Sequence, residues 1–407
     1  MRLLFLSADK FPPFRPDVTV LFGKELTGRG HAIDWLLQSE KPCDAAYWTE
    51  WQGGRAWVGK TDTGTTRWQR VRKNALSFLH DLRLFRLLGQ EPYDFLVVKD
   101  KVLEAIPALF ASYWSATPIV YWLSYPFPEG YLELAEEGTA RYPLLYWLRG
   151  HIFFILLYRV LLPRMQHIFV QSEQMRRDLV SYGLEAERMT PVPMGVQLEE
   201  IPFFGYNAQP AEGAGSLVYL GTLTKVRKLD FLIRVLALVL PRHPQAHLTF
   251  VGGGEDKSDE QLLWAEAKRL GVAEQMTITG FLPREEAWRR MATATVCLSP
   301  YYPTPVLNST SPTKLIEYMA MGKAVVANDH PEQRLVLDAS GGGVVVPWDE
   351  GQFSTAIISL LDRPQELAEM GRRGRVYVER FRSYGRIASL VETKLLDILS
   401  ALQGGPL

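Results

Sequence analysis

Leu298-Ser-Pro-Tyr-Tyr-Pro-Thr-Pro-Val-Leu-Asn-Ser-Thr-Ser-Pro-Thr-Lys-Leu-Ile-Glu-Tyr-Met-Ala-Met-Gly-Lys-Ala-Val-Val-Ala-Asn328 reads as strand, polar loop, capped helix and strand. Ser311 suits an N-cap and Pro312 the first helical position, where its missing donor is no loss, so the spacing predicts a helix opening there. Gly322 ends it, since glycine takes the left-handed turn past a helix without strain. Leu315, Ile316, Met319 and Ala320 share one face, which leaves Thr313, Lys314, Glu317 and Tyr318 on or beside the other. At the first turn the free amides of Thr313 and Lys314 lie at the positive end of the helix dipole, with a hydroxyl and an ammonium beside them. Phosphate fits there. Glu317 sits one turn deeper, at roughly 5–6 Å, where a carboxylate can accept hydrogen bonds from a ribose attached to that phosphate. A capped surface helix with a solvated glutamate is the other reading, and the segment by itself does not choose.

Working outward, the same alternation recurs. Leu3–Ala8, Ala32–Leu37, Asp94–Val98, Pro118–Leu123 and His167–Gln171 read as buried strands, with helices over Asp17–Arg29 and from Ser172. After a Gly- and Pro-rich break between Met194 and Ser216, strands are predicted at Leu217–Leu220, His247–Val251, Met276–Thr279 and Thr295–Leu298. Helices at Lys228–Leu240, Asp259–Leu270 and Glu285–Ala292 alternate with them. The fold class is α/β: two doubly wound Rossmann-like domains, 1–205 and 206–385, facing a cleft. Ligands in such sheets bind beyond the carboxyl ends of the strands, so the cleft is the expected site.

Composition narrows the rest. The chain has 407 residues, long enough for two domains, and 45 basic against 45 acidic residues. No global field therefore favours nucleic acid, and binding must be local. Cys43 and Cys297 are too far apart in sequence to suggest a disulfide framework or a metal cluster, which points to a reducing cytosol. Met1–Ala8 is too short for a signal-peptide core and runs into Asp9-Lys10 and Pro12-Pro13, so it reads as a first buried strand. Val251-Gly-Gly-Gly-Glu255 lets backbone approach a ligand but lacks a dinucleotide fingerprint or a P-loop lysine. Gly341-Gly-Gly343 reads as a turn, and Glu255–Glu260 as a solvated helix start in preference to a metal site.

With these motifs in order, the chain resembles retaining glycosyltransferases of the GT-B fold, family 4. The resemblance rests on Gly221-Thr-Leu223 with Arg227-Lys228, Val251-Gly-Gly-Gly254, Thr279-Gly-Phe-Leu282 and Glu317-Tyr-Met-Ala-Met-Gly-Lys-Ala-Val-Val326. It is strongest over roughly 215–385. It implies that Met194-Gly-Val196 is an interdomain hinge and that a C-terminal helix, about 386–407, packs back on the first domain. It implies a nucleotide-diphosphate sugar donor, a UDP-sugar ahead of a GDP-sugar, and no metal or other cofactor. Donor-binding residues would be Glu317, Thr313, Lys314, Ser311, Ser309, Asn308, Thr222 and Gly253. Either Arg227 or Lys228 would be the cation for the β-phosphate, and retention would follow front-face attack.

The departures are specific. Ser309 stands where the family carries its first glutamate, so Asn308, Ser309 and Thr310 are left to meet sugar hydroxyls. Thr222 replaces the turn arginine. The paired glycines of the first loop are Pro16-Asp17, and Asp17 is either the N-cap of the first helix or a partner for an acceptor hydroxyl. The first domain's His or Asp has no match, since Pro118–Pro126 offers Ser124 and Tyr125. Lys99 and Asp100 are either ionisable neighbours of the cleft or a surface pair.

One segment adds a partner. Between Gly138 and Ser172 there is no acidic residue, while Arg141, Arg149, Arg159 and Arg164 fall within an arc of about 140° at helical spacing. Arg149 and His151 are too central for a spanning helix. The segment is either an amphipathic helix on an anionic membrane surface or a core helix with arginines at its rim. Eight of eleven tryptophans fall before residue 150, and tryptophan favours interfaces. The expected protein is thus a cytoplasmic enzyme, peripheral on the inner face of the membrane. It would extend a saccharide or lipid-linked saccharide acceptor in envelope or exopolysaccharide synthesis. A nucleotide-sugar epimerase of the same architecture, or a non-catalytic sugar- or lipid-binding scaffold, are the alternatives.

Overall fold

Leu3, Leu4, Phe5 and Leu6 are wholly buried, because β1 (Arg2–Phe11) lies inside a sheet covered on both faces, where parallel strands lose their polar alternation. The computed structural model describes residues 1–43, 45–61, 66–138, 141–203 and 215–403. The chain divides into two compact units, Met1–Pro193 with the segment from Tyr384, and Met194–Ser383. The expected boundary at 205/206 lies outside the described residues.

The first unit carries β1, β2 (Ala32–Ser39), β3 (Tyr47–Trp51), β4 (Gly54–Gly59), β5 (Phe95–Lys99), β6 (Ile119–Leu123), β7 (His167–Val170) and β8 (Met189–Pro191). Their order is β3-β4-β2-β1-β5-β6-β7-β8, parallel except for β3 against β4. That hairpin is not among the expected strands, although its turn has the right chemistry. Gln52 and Gly53 sit at φ 43° and 76°, the left-handed pair that a two-residue hairpin loop needs. The first helix, Asp17–Leu26, has π-type pitch and packs Val18, Leu21 and Phe22 onto Phe5 and Trp122. Helix Tyr384–Gln403 adds Tyr384, Ile387, Ala388, Val391 and Leu395 to the same core, and Glu392 receives Arg29 and His31 at 2.7 and 2.8 Å.

The second unit carries β9 (Ser216–Leu220), β10 (His247–Val251), β11 (Met276–Ile278), β12 (Val296–Ser299), β13 (Val325–Asn328) and β14 (Gly343–Val346). The order β11-β10-β9-β12-β13-β14 is fully parallel. The helix after β9 begins at Asp230, later than expected, because Lys228 takes a left-handed conformation at φ 51°. In each sheet the winding direction reverses beside the first strand of the unit, between β1 and β5 and between β9 and β12. Those reversals are the switch points where α/β sheets open a crevice at their carboxyl ends.

The decisive helix spans Thr313–Ala320, and Gly322 follows it at φ 75°. Its N-cap is Pro312, with no side-chain bond, and Ser311 is not the cap. The Ser311 hydroxyl instead accepts the Met194 amide at 3.0 Å, which draws it away from the helix amides. Tyr318 also departs from the expected polar side: it is wholly buried, and its hydroxyl accepts the Leu220 amide at 2.8 Å, fastening the helix to the end of β9.

Candidate functional site

At the second unit's switch point β9 ends in Gly221-Thr222 and β12 runs into Pro300-Tyr301. Gly221 has φ 143°, and a Cβ there would lie 2.1 Å from Lys314 Cε, so only glycine leaves room for the lysine stem. The Lys314 ammonium lies 5.5 Å from the Tyr219 ring centre and 6.0 Å from that of Tyr301, within cation–π range of both. Burial first, then the neighbouring Arg227, lowers its pKa to about 7, against the pull of Glu317. Arg227 donates from Nε to the Thr222 hydroxyl at 3.1 Å. Two cations thus converge, and among the described residues neither has a carboxylate within ion-pair distance. Burial likewise pushes the Glu317 carboxyl up, against Lys314 and Arg284.

Thr222, which replaces the family's turn arginine, serves here as the acceptor that aims Arg227. Lys228 is exposed and turned over the Tyr302 ring at 5.9 Å, away from this pair. Thr313 opens the helix, so its amide and that of Lys314 lack intrahelical partners. Gly253 packs on Phe281 and its carbonyl accepts the Leu223 amide at 3.0 Å, which locks one glycine turn to the other. Ser309 is buried just past the short helix Pro305–Asn308, and Asn308 is half-buried at its end. The Thr310 hydroxyl donates to the Leu307 carbonyl at 2.7 Å.

A polar frame behind the loop was not foreseen. The Asn328 side chain accepts from the Tyr301 amide at 2.5 Å and donates to its carbonyl at 2.7 Å, which fixes the ring that lies beside Lys314. Gln333 donates to the Ser299 and Asn328 carbonyls at 3.1 and 3.0 Å. His330 lies 2.8 Å from the Leu307 carbonyl and is held by burial at a pKa of about 4, a neutral ring that anchors the loop. In sequence Asn328 reads only as a strand end, and His330 and Gln333 carry no signal, because a side chain that bonds backbone leaves no periodic pattern.

The first unit's switch point is filled differently. Lys99, 1 % exposed, donates to Asp9 at 2.9 Å and to Asp100 at 3.2 Å and lies 3.6 Å from Asp17. Arg15 grips Asp17 through two bonds at 3.0 and 3.1 Å. Asp17 is therefore not the N-cap of its helix, a place taken by Pro16, and Lys99–Asp100 is not a surface pair. Asp100 also accepts the Ser124 amide at 2.8 Å and the Ser124 hydroxyl. Burial opposes the charge on Asp17, but Lys99 and Arg15 outweigh it and hold its carboxyl below the usual range. Burial opposes Lys99 too, and Asp100 and Asp17 keep its pKa raised. Arg15 and Asp9 had no sequence signal beyond loop composition.

Residues Pro143–Arg164 run as one helical stretch, long and apolar enough by composition to cross a membrane. Its second half joins the core of the first unit, and its first half is largely exposed. Gly150, Leu157, Tyr158, Leu161 and Leu162 are buried, while Leu144, Leu145, Leu148, Ile152 and Ile155 are exposed along the other side. Arg149 is turned onto the Tyr131 ring at 4.3 Å. Trp114 and Trp147 are exposed, whereas Trp35 and Trp122 fill the core.

Two largely parallel α/β units, the second with a cation pair lacking an ion-paired carboxylate at its switch point among the described residues, define the class: a GT-B fold. A sucrose-phosphate synthase from Thermosynechococcus elongatus superposes with a TM-score of 0.74 at 16 % identity, covering 98 % of this chain and 100 % of that one. Anabaena HepE in complex with UDP gives 0.67 at 14 % identity, with 98 % and 100 % covered. The family described as Glycosyltransferase Family 4 matches residues 18–200, and that described as Glycosyl transferases group 1 matches 214–363. The chain belongs to this glycosyltransferase family. A D-inositol 3-phosphate glycosyltransferase of Catenulispora acidiphila is 27 % identical over 229 residues, 53 % of this chain and 52 % of that protein. A protein of Mycolicibacterium smegmatis named as a GDP-mannose-dependent phosphatidylinositol monomannoside mannosyltransferase is 31 % identical over 198 residues, 47 % and 49 % of the two chains. The chain spans about half the length of the curated relatives it matches.

Proposed function

We propose that this chain moves a sugar from a nucleotide-diphosphate sugar to a saccharide acceptor, with retention of configuration and without a resident metal. The observation that carries the reading is the Arg227–Lys314 pair, two converging cations with no carboxylate within ion-pair distance among the described residues. As the bond from the sugar's anomeric carbon to the diphosphate breaks, the leaving oxygens gain charge. Arg227, Lys314 and the amides of Thr313 and Lys314 would stabilise that charge, while Glu317 takes hydrogen bonds from donor hydroxyls. The acceptor oxygen forms its bond to the same carbon and passes its proton to the leaving phosphate.

Names of the relatives, which include inositol phosphate and phosphatidylinositol monomannoside, support an acceptor that is a saccharide or a lipid-linked one. The exposed apolar stretch from Leu144 to Ile155 supports work at an anionic membrane surface, on its cytoplasmic face, in envelope or exopolysaccharide synthesis. Among the similar proteins one was solved with UDP-glucose and another is named for GDP-mannose, so both donors belong in the test.

A thermal-shift panel of UDP- and GDP-sugars, with and without a chelator, is expected to show stabilisation by one nucleotide class that survives chelation. Product analysis then separates transfer or donor hydrolysis from isomerisation, the outcome expected of an epimerase. No stabilisation by any nucleotide sugar would sink the reading, and a strict Mg²⁺ requirement would remove its metal-free part. Co-sedimentation with anionic vesicles, lost on replacing Leu144, Leu148 and Ile152 by serine, is the expected membrane result.

A further inference from the structure

A second set of cations lies in the first unit, outside everything assigned above. From Thr66 to Gln90 the chain carries Arg67, Arg70, Arg72, Lys73, Arg83 and Arg86 against a single acid, Asp81. That acid is wholly buried and bonded to Lys101. Between β4 and the helices Arg67–Asp81 and Arg83–Gln90 there is a recess lined by Lys60, Arg83, Arg86, Leu76, Leu79 and Leu82.

The recess has a built wall. Gly59 ends β4, and a Cβ there would lie 2.7 Å from the His80 ring, so the glycine lets His80 close against the strand. His80 meets the Trp57 carbonyl at 3.1 Å, and burial lowers its pKa to about 4, so at neutral pH it adds shape without charge. Arg83 is seated on the Trp57 ring at 4.8 Å, which fixes where its guanidinium lies. Among the described residues, Lys60, Arg83 and Arg86 have no carboxylate partner. Like charges gathered in one recess without a counter-ion are stable only at a cost that an anion would relieve.

We propose that this recess binds a phosphate group carried on an apolar stem, the headgroup of an anionic amphiphile. The cations select the phosphate, with arginine suited to its paired oxygens. The leucines select the stem: Leu76, Leu79 and Leu82 line the same recess, and Leu79 is 62 % exposed. Further along the same helix Trp68 and Val71 are 77 % and 58 % exposed, which extends the apolar surface toward the helix's N-terminal end. This site does not depend on the donor site at Arg227 and Lys314, so either assignment can fail without the other.

The test uses the full chain and a water-soluble short-chain phosphatidylglycerol below its micelle concentration, with inorganic phosphate and the matching phosphatidylcholine as further arms, read by titration calorimetry. The phosphatidylglycerol is expected to bind, and Lys60→Gln/Arg83→Gln/Arg86→Gln to weaken it at least tenfold. Nucleotide-sugar stabilisation should stay unchanged in that variant, which reports both folding and the separate donor site. Leu79→Gln should weaken the lipid without changing binding of inorganic phosphate. Equal lipid affinity in the triple variant would overturn the proposal. Inorganic phosphate bound as tightly as the lipid would overturn its apolar part, and phosphatidylcholine bound equally well would overturn its charge selectivity.

Discussion

The two switch points solve opposite problems with similar residues. At the first, Lys99 and Arg15 are consumed by Asp9, Asp17 and Asp100, and the cluster is internally balanced to within one charge. At the second, Arg227 and Lys314 are held by aromatic rings, a hydroxyl and a glycine, none of which neutralises them. A buried cation with its counter-ions supplied is a frame; one without them is a vacancy for an anion. Residue type alone does not separate the two cases, and the partners do.

The largest expected effect breaks the balanced cluster. Lys99→Ala leaves three carboxylates facing Arg15 alone and should lower unfolding stability by about 3–5 kcal/mol, measured by urea denaturation. The corresponding change in the second unit should do the reverse to stability and damage function instead. Lys314→Gln removes an unneutralised charge, so its melting temperature should hold or rise. Turnover should drop about 10²–10³-fold if Lys314 meets charge developing in the transition state. A loss of stability in Lys314→Gln as large as in Lys99→Ala would erase the contrast.

Proton linkage sharpens the same contrast. Lys314 sits at about 7 without ligand, and a bound diphosphate raises that value. Below about pH 7 the lysine is already charged and donor affinity is flat; above it, binding takes up a proton and affinity falls by about tenfold per pH unit until the bound-state value is reached. Calorimetry in buffers of different ionisation heat checks the proton count, and Lys314→Gln should abolish the slope. In the first unit the sign differs. Asp17 is held below its ordinary value in the folded chain, so its contribution is present above about pH 3.9 and is lost as pH falls through the folded value. Asp17→Asn should flatten that acid limb. The smallest effect concerns the frame: Tyr318→Phe removes the acceptor of the part-buried Leu220 amide and should lower stability by about 1 kcal/mol.

Much of the architecture was legible because buried strands and helix stops are written in runs and single residues. β10 falls at His247–Val251 as expected, and Gly322 closes the helix that carries Lys314 and Glu317. What escaped was whatever depends on distant partners. Ser311 looked like a cap because its competitor, the Met194 amide, is far away in sequence. Asp17 looked like a cap for the same reason, its partner Lys99 arriving from another strand. The β3–β4 hairpin left a weak trace, since Gln52-Gly53 offers one turn glycine and the outer strand is largely exposed and lacks a buried face.

The contact between Gly221 and Lys314 has a practical consequence. The lysine occupies space that a single methyl group at position 221 would claim, so charge and vacancy form one inherited unit. A designer who grafts Lys314 onto a related scaffold with any side chain at the position of Gly221 transfers the ammonium but not its place between two rings. Conversely, Gly221→Ala displaces the lysine and strains the turn at φ 143° while leaving every charge in the protein intact.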